Sequence, residues 1–274
     1  PIAPTRMNIM AYSTQSQTSP NEIRLDIRRE LFNGVTSGLA PGYVQANIAI
    51  VHKDFAFDFL LYCQRNPKPC PILEVLEQGI ASPSLTCSNA DIRYDVPSYN
   101  IYRDGQFSES CKNLSHAWND DLVSFLIGCS FSFETAMKEA SIPLRHQELG
   151  CNVPMYITSI PTTPAGIFSG PLVVSMRPIS RGLISKAVQV TSRFPDTHGA
   201  PIHVGSPSSI GIHDLSKPDY GDPVPIKSDE EPVFWACGVT PQAVAIESHL
   251  PLMITHSPGH MLITDKRDSD YAVI

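Results

Sequence analysis

The clearest hydrophobic pattern lies near the C-terminus of the chain. Residues 233–236 are a continuous apolar run that ends at Gly238, which is typical of a buried strand followed by a tight turn. Thr240 provides an N-cap hydroxyl and Pro241 a favoured first helical residue, so a helix should begin there. A second apolar run covers residues 252–255. The segment therefore predicts a strand, a helix and another strand.

Two further strands are predicted before this segment. Residues 171–177 and 201–205 are rich in apolar positions, and a helix-like stretch over residues 180–194 separates them. Strands that alternate with helices are typical of parallel sheets with right-handed crossover connections. We therefore expect an α/β fold that has a mostly parallel sheet with flanking helices.

The middle of the chain has a different pattern. Residues 91–97 and 99–105 alternate polar and apolar side chains and are rich in turn residues, and residues 155–160 are a third candidate strand. Short alternating segments of this kind are typical of antiparallel strands. We expect these strands to form a smaller α+β lobe.

The chain is thus predicted to form a single unit with two lobes over residues 19–274. The smaller lobe covers about 90–165, and the α/β lobe is formed by about 19–89 and 166–274. Residues 1–18 lack the apolar core of a secretory signal, so we expect a poorly structured leader there.

The N-terminal part predicts two helices with an extended segment between them. Ser19 and Glu22 form a capping box, so the first helix should begin there, and the second should cover residues 54–64. Gly34 should end the first helix, and an extended segment should follow before the second helix. It would present the polar ends of alternate side chains on one side, namely those of Tyr43, Gln45 and Asn47. The alternative interpretation is a surface loop anchored by the tyrosine.

Composition narrows the class of protein. The 274-residue chain is 42% hydrophobic and has a net charge of -7, without a Lys or Arg cluster and without an apolar run near the roughly 20 residues of a membrane span. We therefore expect a small anionic substrate and neither a nucleic-acid nor a membrane partner. Seven cysteines without a CxxC pair favour a reducing compartment. We expect a cytoplasmic location, with a mitochondrial one as the alternative.

The predicted parallel sheet places several candidate residues together. Arg177, Gly205, Cys237 and His256 would mark the carboxyl ends of four strands. Ligands of open α/β sheets bind at that edge. The pattern therefore predicts a binding site there.

Two residues near the start of the predicted helix at about 132–140, one just before it and one in its first turn, allow two interpretations each. Cys129 is either a nucleophile activated by the helix N-terminus or a buried structural thiol, and we favour the structural interpretation. Glu134 either complements the helix dipole or acts as a general acid or base.

The histidines raise the question of a metal. His256 and His260 are separated by a turn, and His198 and His203 by a Gly-Ala-Pro-Ile sequence, so neither pair has the spacing of a zinc-binding helix. A mononuclear site that includes a nearby carboxylate is the alternative. We expect the histidines to act as acid/base groups, with no metal and no cofactor.

Nine sequence blocks, in order, carry a resemblance to a known family. They are APGYVQANIAI, FLLYCQRNPKPCPILE, DIRYDVPSYNIYRDG, FLIGCSFSFE, RHQELGCNVPMYIT, GPLVVSMRP, TSRFPDTHGAPIHVG, PVFWACGVTPQ and ITHSPGHMLITD. Over about residues 23–265 the chain resembles the hydro-lyase family that includes the catalytic region of D-glutamate cyclase. The resemblance implies an α/β protein of two lobes, a lyase activity and the free-standing form, without the extra C-terminal domain of larger cyclases.

That activity would convert D-glutamate, or a similar small amino or hydroxy acid, to a dehydrated product such as 5-oxo-D-proline. We expect Arg177 to neutralise a carboxylate, His256 or His260 to act as base and Glu134 to act as acid. The expected substrate-binding residues are Tyr43, Gln45, Asn47, Arg145, His146, Ser175, His198, His203, Cys237, Gly238 and Thr240. The alternative function is a non-catalytic protein that binds small carboxylates, and a homodimer is the default oligomeric state.

Overall fold

The computed structural model describes residues 18–273, so almost all of the predicted leader lies outside the described residues. In chain order the strands are β1 (Tyr43–His52), β2 (Ile72–Leu76), β3 (Tyr99–Arg103), β4 (Gln106–Cys111), β5 (Leu122–Gly128), β6 (Met155–Pro161), β7 (Pro171–Ser180), β8 (His203–Val204), β9 (Glu230–Ala236), β10 (Met253–His256) and β11 (Leu262–Arg267). The α-helices are α1 (Pro20–Arg28), α2 (Lys53–Arg65), α3 (Glu134–Glu139), α4 (Arg145–Leu149), α5 (Ile184–Ser192) and α6 (Thr240–Glu247).

Within residues 18–273 the strands form two sheets. The large sheet has the order β2-β5-β1-β10-β3-β4, and β11 lies beside the first half of β1. The small sheet has the order β6-β7-β9-β8. Strands β10 and β11 therefore share one edge of β1. Residues 49–51 of β1 pair with β10, and residues 43–46 pair with β11.

The predicted mostly parallel sheet is wrong, because every strand pairing in both sheets is antiparallel. Strand β9 belongs to the small sheet and β10 to the large one, so α6 links two sheets instead of crossing over one. Strands β7 and β9 are antiparallel neighbours. Alternation of strands and helices along the chain does not reveal strand direction when the helices connect different sheets.

Several local elements are confirmed. The capping box of Ser19 begins α1, although α1 ends at Arg28, before Gly34. The strands and the helix of the C-terminal segment form as β9, α6 and β10. In the middle of the chain the predicted strand over residues 91–97 is wrong, because these residues form tight turns. Strands β3 and β4 join the large sheet, whereas β6 joins the small one.

Both sheets are covered on both faces. Loops over residues 77–98 and 112–118 pack on one face of the large sheet, and α2 and α6 pack on the other face with the buried side chains of Phe59 and Val244. On the small sheet, α3 and α5 cover the face that carries Trp235, and residues 207–226 cover the opposite face. Full burial of each such large apolar side chain contributes about 1.5–3 kcal/mol, which fixes the two sheets and their helices together.

The chain passes between the two sheets after β5. Gly128 ends β5 where a side chain would overlap the carbonyl of Asp196, and the chain then makes a 3₁₀ turn, Ser130–Phe133, that leads directly into α3. The hydroxyl of Ser132 accepts a hydrogen bond from the Gln45 backbone N–H at 3.0 Å, which ties this turn to β1. Glu134, the first residue of α3, is therefore placed between the sheets. Within the described residues no helix has the length and apolar character needed to cross a bilayer.

Candidate functional site

A buried carboxylate lies at the centre of the candidate site. Glu134 is 2% exposed, and its Oε1 accepts a hydrogen bond from Arg177 Nε at 3.0 Å and lies 3.1 Å from His146 Nε2. Its Oε2 accepts hydrogen bonds from Gln147 Nε2 at 2.6 Å and from Ser37 Oγ at 3.2 Å. The two carboxylate oxygens are thus held by four side chains from three different parts of the chain. We call this set of five residues the Glu134 centre.

The electrostatics of the Glu134 centre favour the ionised carboxylate. Burial acts to raise the pKa of Glu134, but the charges of His146 and Arg177, and their hydrogen bonds, outweigh burial and hold that pKa at about 2. Glu134 is therefore an anion at neutral pH. Removal of one partner from a buried ion pair costs about 3–5 kcal/mol, so this arrangement strongly constrains the local structure.

All three nitrogens of the Arg177 guanidinium donate hydrogen bonds inside the protein. The period of two along β7 places Ser175 and Arg177 on one face, and Arg177 Nη1 donates to Ser175 Oγ at 3.1 Å. Nη2 donates to Ser130 Oγ at 3.1 Å, and the guanidinium lies over the rings of Phe133 and Trp235, 5.3 and 5.5 Å from their centroids. The side chain is fully buried, so it contacts the Glu134 carboxylate and no solvent-filled space.

Helix α4 directs two neighbouring basic side chains to different places. The ring of His146 stacks on Phe131 with the ring centroids 6.4 Å apart, and Nε2 lies 3.2 Å from Ser37 Oγ. Arg145 points the other way and pairs with Glu230 Oε1 through Nη2 at 2.6 Å. Consecutive helical residues diverge by about 100°, which explains why the site contains His146 and not Arg145.

Two connected cavities border the Glu134 centre. The larger one, about 690 Å³, is an open cleft between residues 35–39 and helices α3 and α4, and it reaches Ser37 and Gln147. The smaller one, about 20 Å³, is lined by Gln45 and Glu134. Gly38, Leu39, Lys138 and Gln147 line both cavities, so the two cavities adjoin, and a small molecule in the cleft would meet the Glu134 centre at Ser37 and Gln147.

Two residues of the predicted extended segment, Tyr43 and Gln45, line the small cavity. Gln45 is 2% exposed, and its Nε2 donates to the carbonyls of Thr36 at 2.9 Å and Leu39 at 3.2 Å. Its Oε1 has no hydrogen-bond partner among the described residues. Tyr43 is half-buried and lines the same cavity.

Other predicted substrate-binding residues stabilise the backbone where the chain connects the two sheets. The Nδ2 of Asn47 donates to the Gly128 carbonyl at 2.7 Å, and Asn47 fills the space that a side chain on Gly238 would need. Thr240 Oγ1 donates to the Cys237 carbonyl at 2.7 Å, and burial raises the pKa of the Cys237 thiol to about 11. The structure places these residues in the protein interior, where their polar groups bond to the backbone.

The two histidines expected to act as base lie outside the Glu134 centre. His256 is buried, its Nδ1 accepts a hydrogen bond from the Ile48 N–H at 3.1 Å, and burial lowers its pKa to about 4. His260 has Nδ1 3.1 Å from the Pro258 carbonyl, and burial lowers its pKa as well. Within residues 18–273 neither ring has a hydrogen bond to Glu134.

The second histidine pair is also separated from the centre. His198 is buried with Nδ1 2.8 Å from the Lys68 carbonyl, and burial lowers its pKa to about 4. His203 has Nε2 2.7 Å from the Ser206 carbonyl, near the edge of the small sheet. The part of the chain that the structure describes contains no group of three or more His, Cys, Asp or Glu residues that could hold a metal.

Cys129 is buried at the start of the 3₁₀ turn. Its Sγ accepts a hydrogen bond from the Phe131 N–H at 3.5 Å, and burial raises the pKa of its thiol. A neutral buried thiol is a poor nucleophile. The geometry therefore favours a structural role for Cys129.

Sequence patterns missed three residues that contact the Glu134 centre or its cleft: Ser37, Gln147 and Lys138. Gln147 follows His146 directly in the block RHQELGCNVPMYIT, and this position next to a candidate residue could have indicated Gln147. Ser37 lies in a loop 97 positions before Glu134, and no local pattern links the two.

The fold and the site define the class of protein: two packed antiparallel sheets with helices, and a buried ionised carboxylate bonded to an arginine and a histidine beside a cleft. Titratable groups with strongly shifted pKa values that border a cleft are typical of active sites for small molecules. Comparison with known proteins agrees with this class.

The D-glutamate cyclase family profile matches residues 123–265, a segment that contains Glu134, His146 and Arg177. Putative hydro-lyase YcsI of Bacillus subtilis is 56% identical to 93% of this chain, and the match covers 100% of that protein. A protein of the same description from Stutzerimonas stutzeri is 54% identical over 98% of this chain and 100% of its own length. The chain therefore belongs to the hydro-lyase family with the D-glutamate cyclase domain, as the sequence blocks predicted.

Among solved structures, a nitrogen repressor-like protein from Methanococcus jannaschii covers 86% of this chain and 91% of its own, with 12% identity and a TM-score of 0.38.

Proposed function

We propose that this protein removes water from a small amino or hydroxy acid, and that the reaction its site fits best is closure of D-glutamate to 5-oxo-D-proline. The observation that carries the proposal is the Glu134 carboxylate, which lines the small cavity and lies 3.1 Å from His146 Nε2. Membership of the hydro-lyase family supports loss of water as the reaction class. The relatives reported above are bacterial, so we propose a cytoplasmic location, and the mitochondrial alternative has no support.

The proposed reaction balances without an external reactant. The amine nitrogen attacks the γ-carboxyl carbon, a C–N bond forms, and one C–O bond of the former carboxylate breaks. The nitrogen loses two protons and the departing oxygen gains two, so the products are the lactam and water. The ring closure is intramolecular, which avoids part of the entropic barrier. The site must therefore move two protons from nitrogen to oxygen and stabilise the charge on the oxygen.

His146 is the group in the Glu134 centre that suits this proton transfer. An imidazole exchanges protons near neutral pH, and His146 Nε2 lies within hydrogen-bonding range of both Glu134 and Ser37. In our proposal His146, which Ser37 connects to the cleft, takes the two protons from the substrate nitrogen one after the other and delivers each of them to the departing oxygen. Ser37 and Gln147 donate hydrogen bonds beside it and line the cleft, so they are suited to bind the reacting carboxyl group.

Glu134 and Arg177 act through His146 in this proposal. A carboxyl group whose pKa is about 2 does not retain a proton near neutral pH, so Glu134 serves to orient the imidazole and to stabilise the positive charge that the ring carries after it accepts a proton. Arg177 is buried and bonded to Glu134, Ser175 and Ser130. We therefore propose that Arg177 is a positioning residue, in place of the substrate clamp that the sequence suggested.

The test is a turnover measurement on the purified protein. D-glutamate, L-glutamate and D-2-hydroxyglutarate are incubated separately and followed by proton NMR. We expect lactam from D-glutamate, and D-glutamate labelled with ¹⁸O at both γ-carboxyl oxygens should give a product that retains one label. The matched variant is His146→Gln, which should fold and should lose the activity.

A protein that binds these acids but converts none of them would contradict the proposal. That result would instead support the alternative function, binding of small carboxylates without turnover.

A further inference from the structure

We infer that the small cavity and the adjoining part of the cleft form a recognition site for an amino dicarboxylate, with Gln45 as acceptor for the ammonium and Lys138 as partner of the carboxylate that does not react. The inference rests on the proposed function and specifies the substrate class of the same site. Three observations carry it: an unpartnered buried acceptor, an unpaired cation and the position of both beside the Glu134 centre.

The acceptor is the side-chain oxygen of Gln45. Its Nε2 donates to two backbone carbonyls, those of Thr36 and Leu39, so the orientation of the amide is fixed and Oε1 must lie on the opposite side. Oε1 is buried, has no partner among the described residues and belongs to a side chain that lines the small cavity. A buried acceptor without a hydrogen bond costs about 1–3 kcal/mol. An ammonium, which has three donors, would remove that cost.

The cation is Lys138 on α3. It lies four positions after Glu134, so both residues share one face of the helix, and Lys138 lines both cavities. Among the described residues that line the cavities it is the single cationic side chain, and its ammonium has no ion pair within residues 18–273. The acidic residue of the cleft, Glu148, already pairs with Arg145 at 3.3 Å. A carboxylate in the cleft therefore has Lys138 as its nearest available counter-ion.

These positions select for a particular arrangement of charges. An α-amino acid carries its ammonium and its carboxylate on one carbon, and Gln45 and Lys138 line the same small cavity, so we expect these two groups to bind the two residues. A second carboxylate, separated by a short chain, would then lie toward His146 and Gln147. A 2-hydroxy acid offers Gln45 one donor in place of three, so we expect it to bind more weakly.

The experiment is isothermal titration calorimetry with three ligands and four proteins. D-glutamate carries all three groups, glutarate lacks the ammonium, and 4-aminobutanoate lacks the carboxylate that Lys138 is expected to bind. The proteins are the unchanged chain, Lys138→Met, Lys138→Arg and the control Lys186→Met, which alters an exposed lysine on α5 outside both cavities. Changing the ligand tests Gln45 without removing the hydrogen bonds that Gln45 donates to the loop.

We expect glutarate to bind the unchanged chain at least about tenfold more weakly than D-glutamate does, a difference of about 1.4 kcal/mol. Lys138→Met should weaken D-glutamate binding by at least about tenfold and leave 4-aminobutanoate binding unaltered. Lys138→Arg should retain affinity within about threefold, and Lys186→Met should have no effect.

Equal affinity of the unchanged chain for glutarate and D-glutamate, or unaltered D-glutamate binding in Lys138→Met, would overturn this inference even if lactam is formed. The expected dependence on Lys138 without lactam formation would overturn the proposed function and leave the inference intact. Failure of all three ligands to bind the unchanged chain would overturn both.

Discussion

The Glu134 centre and the turn that contains His256 and His260 were both expected to be catalytic, yet they differ in how they hold charge. In the Glu134 centre an anion is buried against an arginine and a histidine, with a hydrogen bond to each carboxylate oxygen. In the turn, burial lowers the pKa of both imidazoles, which favours their neutral forms. Buried charge, and not the position of a histidine at the end of a strand, distinguishes the candidate site.

The difference between the two regions follows from the way β10 and β11 both pair with one edge of β1. Ile48 lies between the segments of β1 that pair with β10 and β11, and its N–H finds an acceptor in the ring of His256. A buried N–H without an acceptor is costly, so the imidazole completes the sheet at this point. His256 thus serves the backbone, whereas His146 faces a carboxylate at the cleft.

The largest effect is expected from Glu134→Gln. The amide cannot neutralise Arg177 or stabilise the positive charge that His146 carries after it accepts a proton, so we expect kcat/KM for D-glutamate to fall by about 10³, equivalent to about 4 kcal/mol. We also expect a loss of about 3–5 kcal/mol in the free energy of unfolding, because Arg177 keeps a buried charge without its partner. Activity assays and urea unfolding measure the two effects. Glu139→Gln, an exposed change at the end of the same helix, should alter neither.

Activity of Glu134→Gln within about tenfold of the unchanged chain, in a folded protein, would remove the Glu134 centre from the mechanism. The comparison of the two regions would then lose its functional meaning and keep only its structural one.

The pH dependence of stability tests the other region. The folded-state pKa of His256 is about 4, below the ordinary value of 6.5, so its stabilising contribution is complete above 6.5 and is lost as the pH falls toward 4. Between about pH 8 and about pH 5 this loss amounts to about 2 kcal/mol. His256→Gln retains an acceptor for the Ile48 N–H but does not titrate. We therefore expect the difference in unfolding free energy between the two proteins to change by about 2 kcal/mol over that range.

Urea unfolding at several pH values measures that difference. Parallel curves for the variant and the unchanged chain would show that His256 is not buried in its neutral form, and they would weaken the contrast with the Glu134 centre.

A smaller effect is expected from Arg177→Lys. Lysine keeps the charge but cannot reach Glu134, Ser175 and Ser130 together as the guanidinium does. We expect a loss of about tenfold in kcat, or about 1.4 kcal/mol, with little change in KM, because a positioning residue does not contact the substrate. A large rise in KM with kcat preserved would instead favour direct contact between Arg177 and a substrate carboxylate.

Local signals predicted much of the fold. The Ser19 capping box and the apolar run before Gly238 correspond to elements of the structure. Helix α6 begins close to the predicted start, but Thr240 is its first residue and its hydroxyl bonds to the Cys237 carbonyl instead of capping the helix. Strand direction was not predictable in the same way, because the hydrophobic pattern of a strand buried on both faces is the same whether its neighbours are parallel or antiparallel. The long connection between β7 and β9 allowed the second strand to return beside the first.

The candidate site was predicted residue by residue but not as an arrangement. Glu134, His146 and Arg177 were each chosen as candidates, yet Arg177 was assigned to an edge of a parallel sheet that does not exist. Ser37 lies 109 positions before His146, and only the tertiary fold brings their side chains to 3.2 Å. Contacts over such separations leave no periodic signal in a single sequence.

The smallest effect is expected from Cys129→Ser, which separates an electrostatic mechanism from a covalent one. The thiol is buried next to the Glu134 centre, and burial raises its pKa, so it remains protonated and does not supply a thiolate. Serine is similar in size and retains an acceptor for the Phe131 N–H, which Cys129 Sγ now accepts at 3.5 Å. We therefore expect kcat/KM to change by less than about threefold, or about 0.6 kcal/mol. Steady-state kinetics with D-glutamate and mass spectrometry of the enzyme during turnover provide the measurement. A folded but inactive variant, together with a thioester on Cys129 in the unchanged chain, would make Cys129 the nucleophile and reduce the Glu134 centre to a support for it.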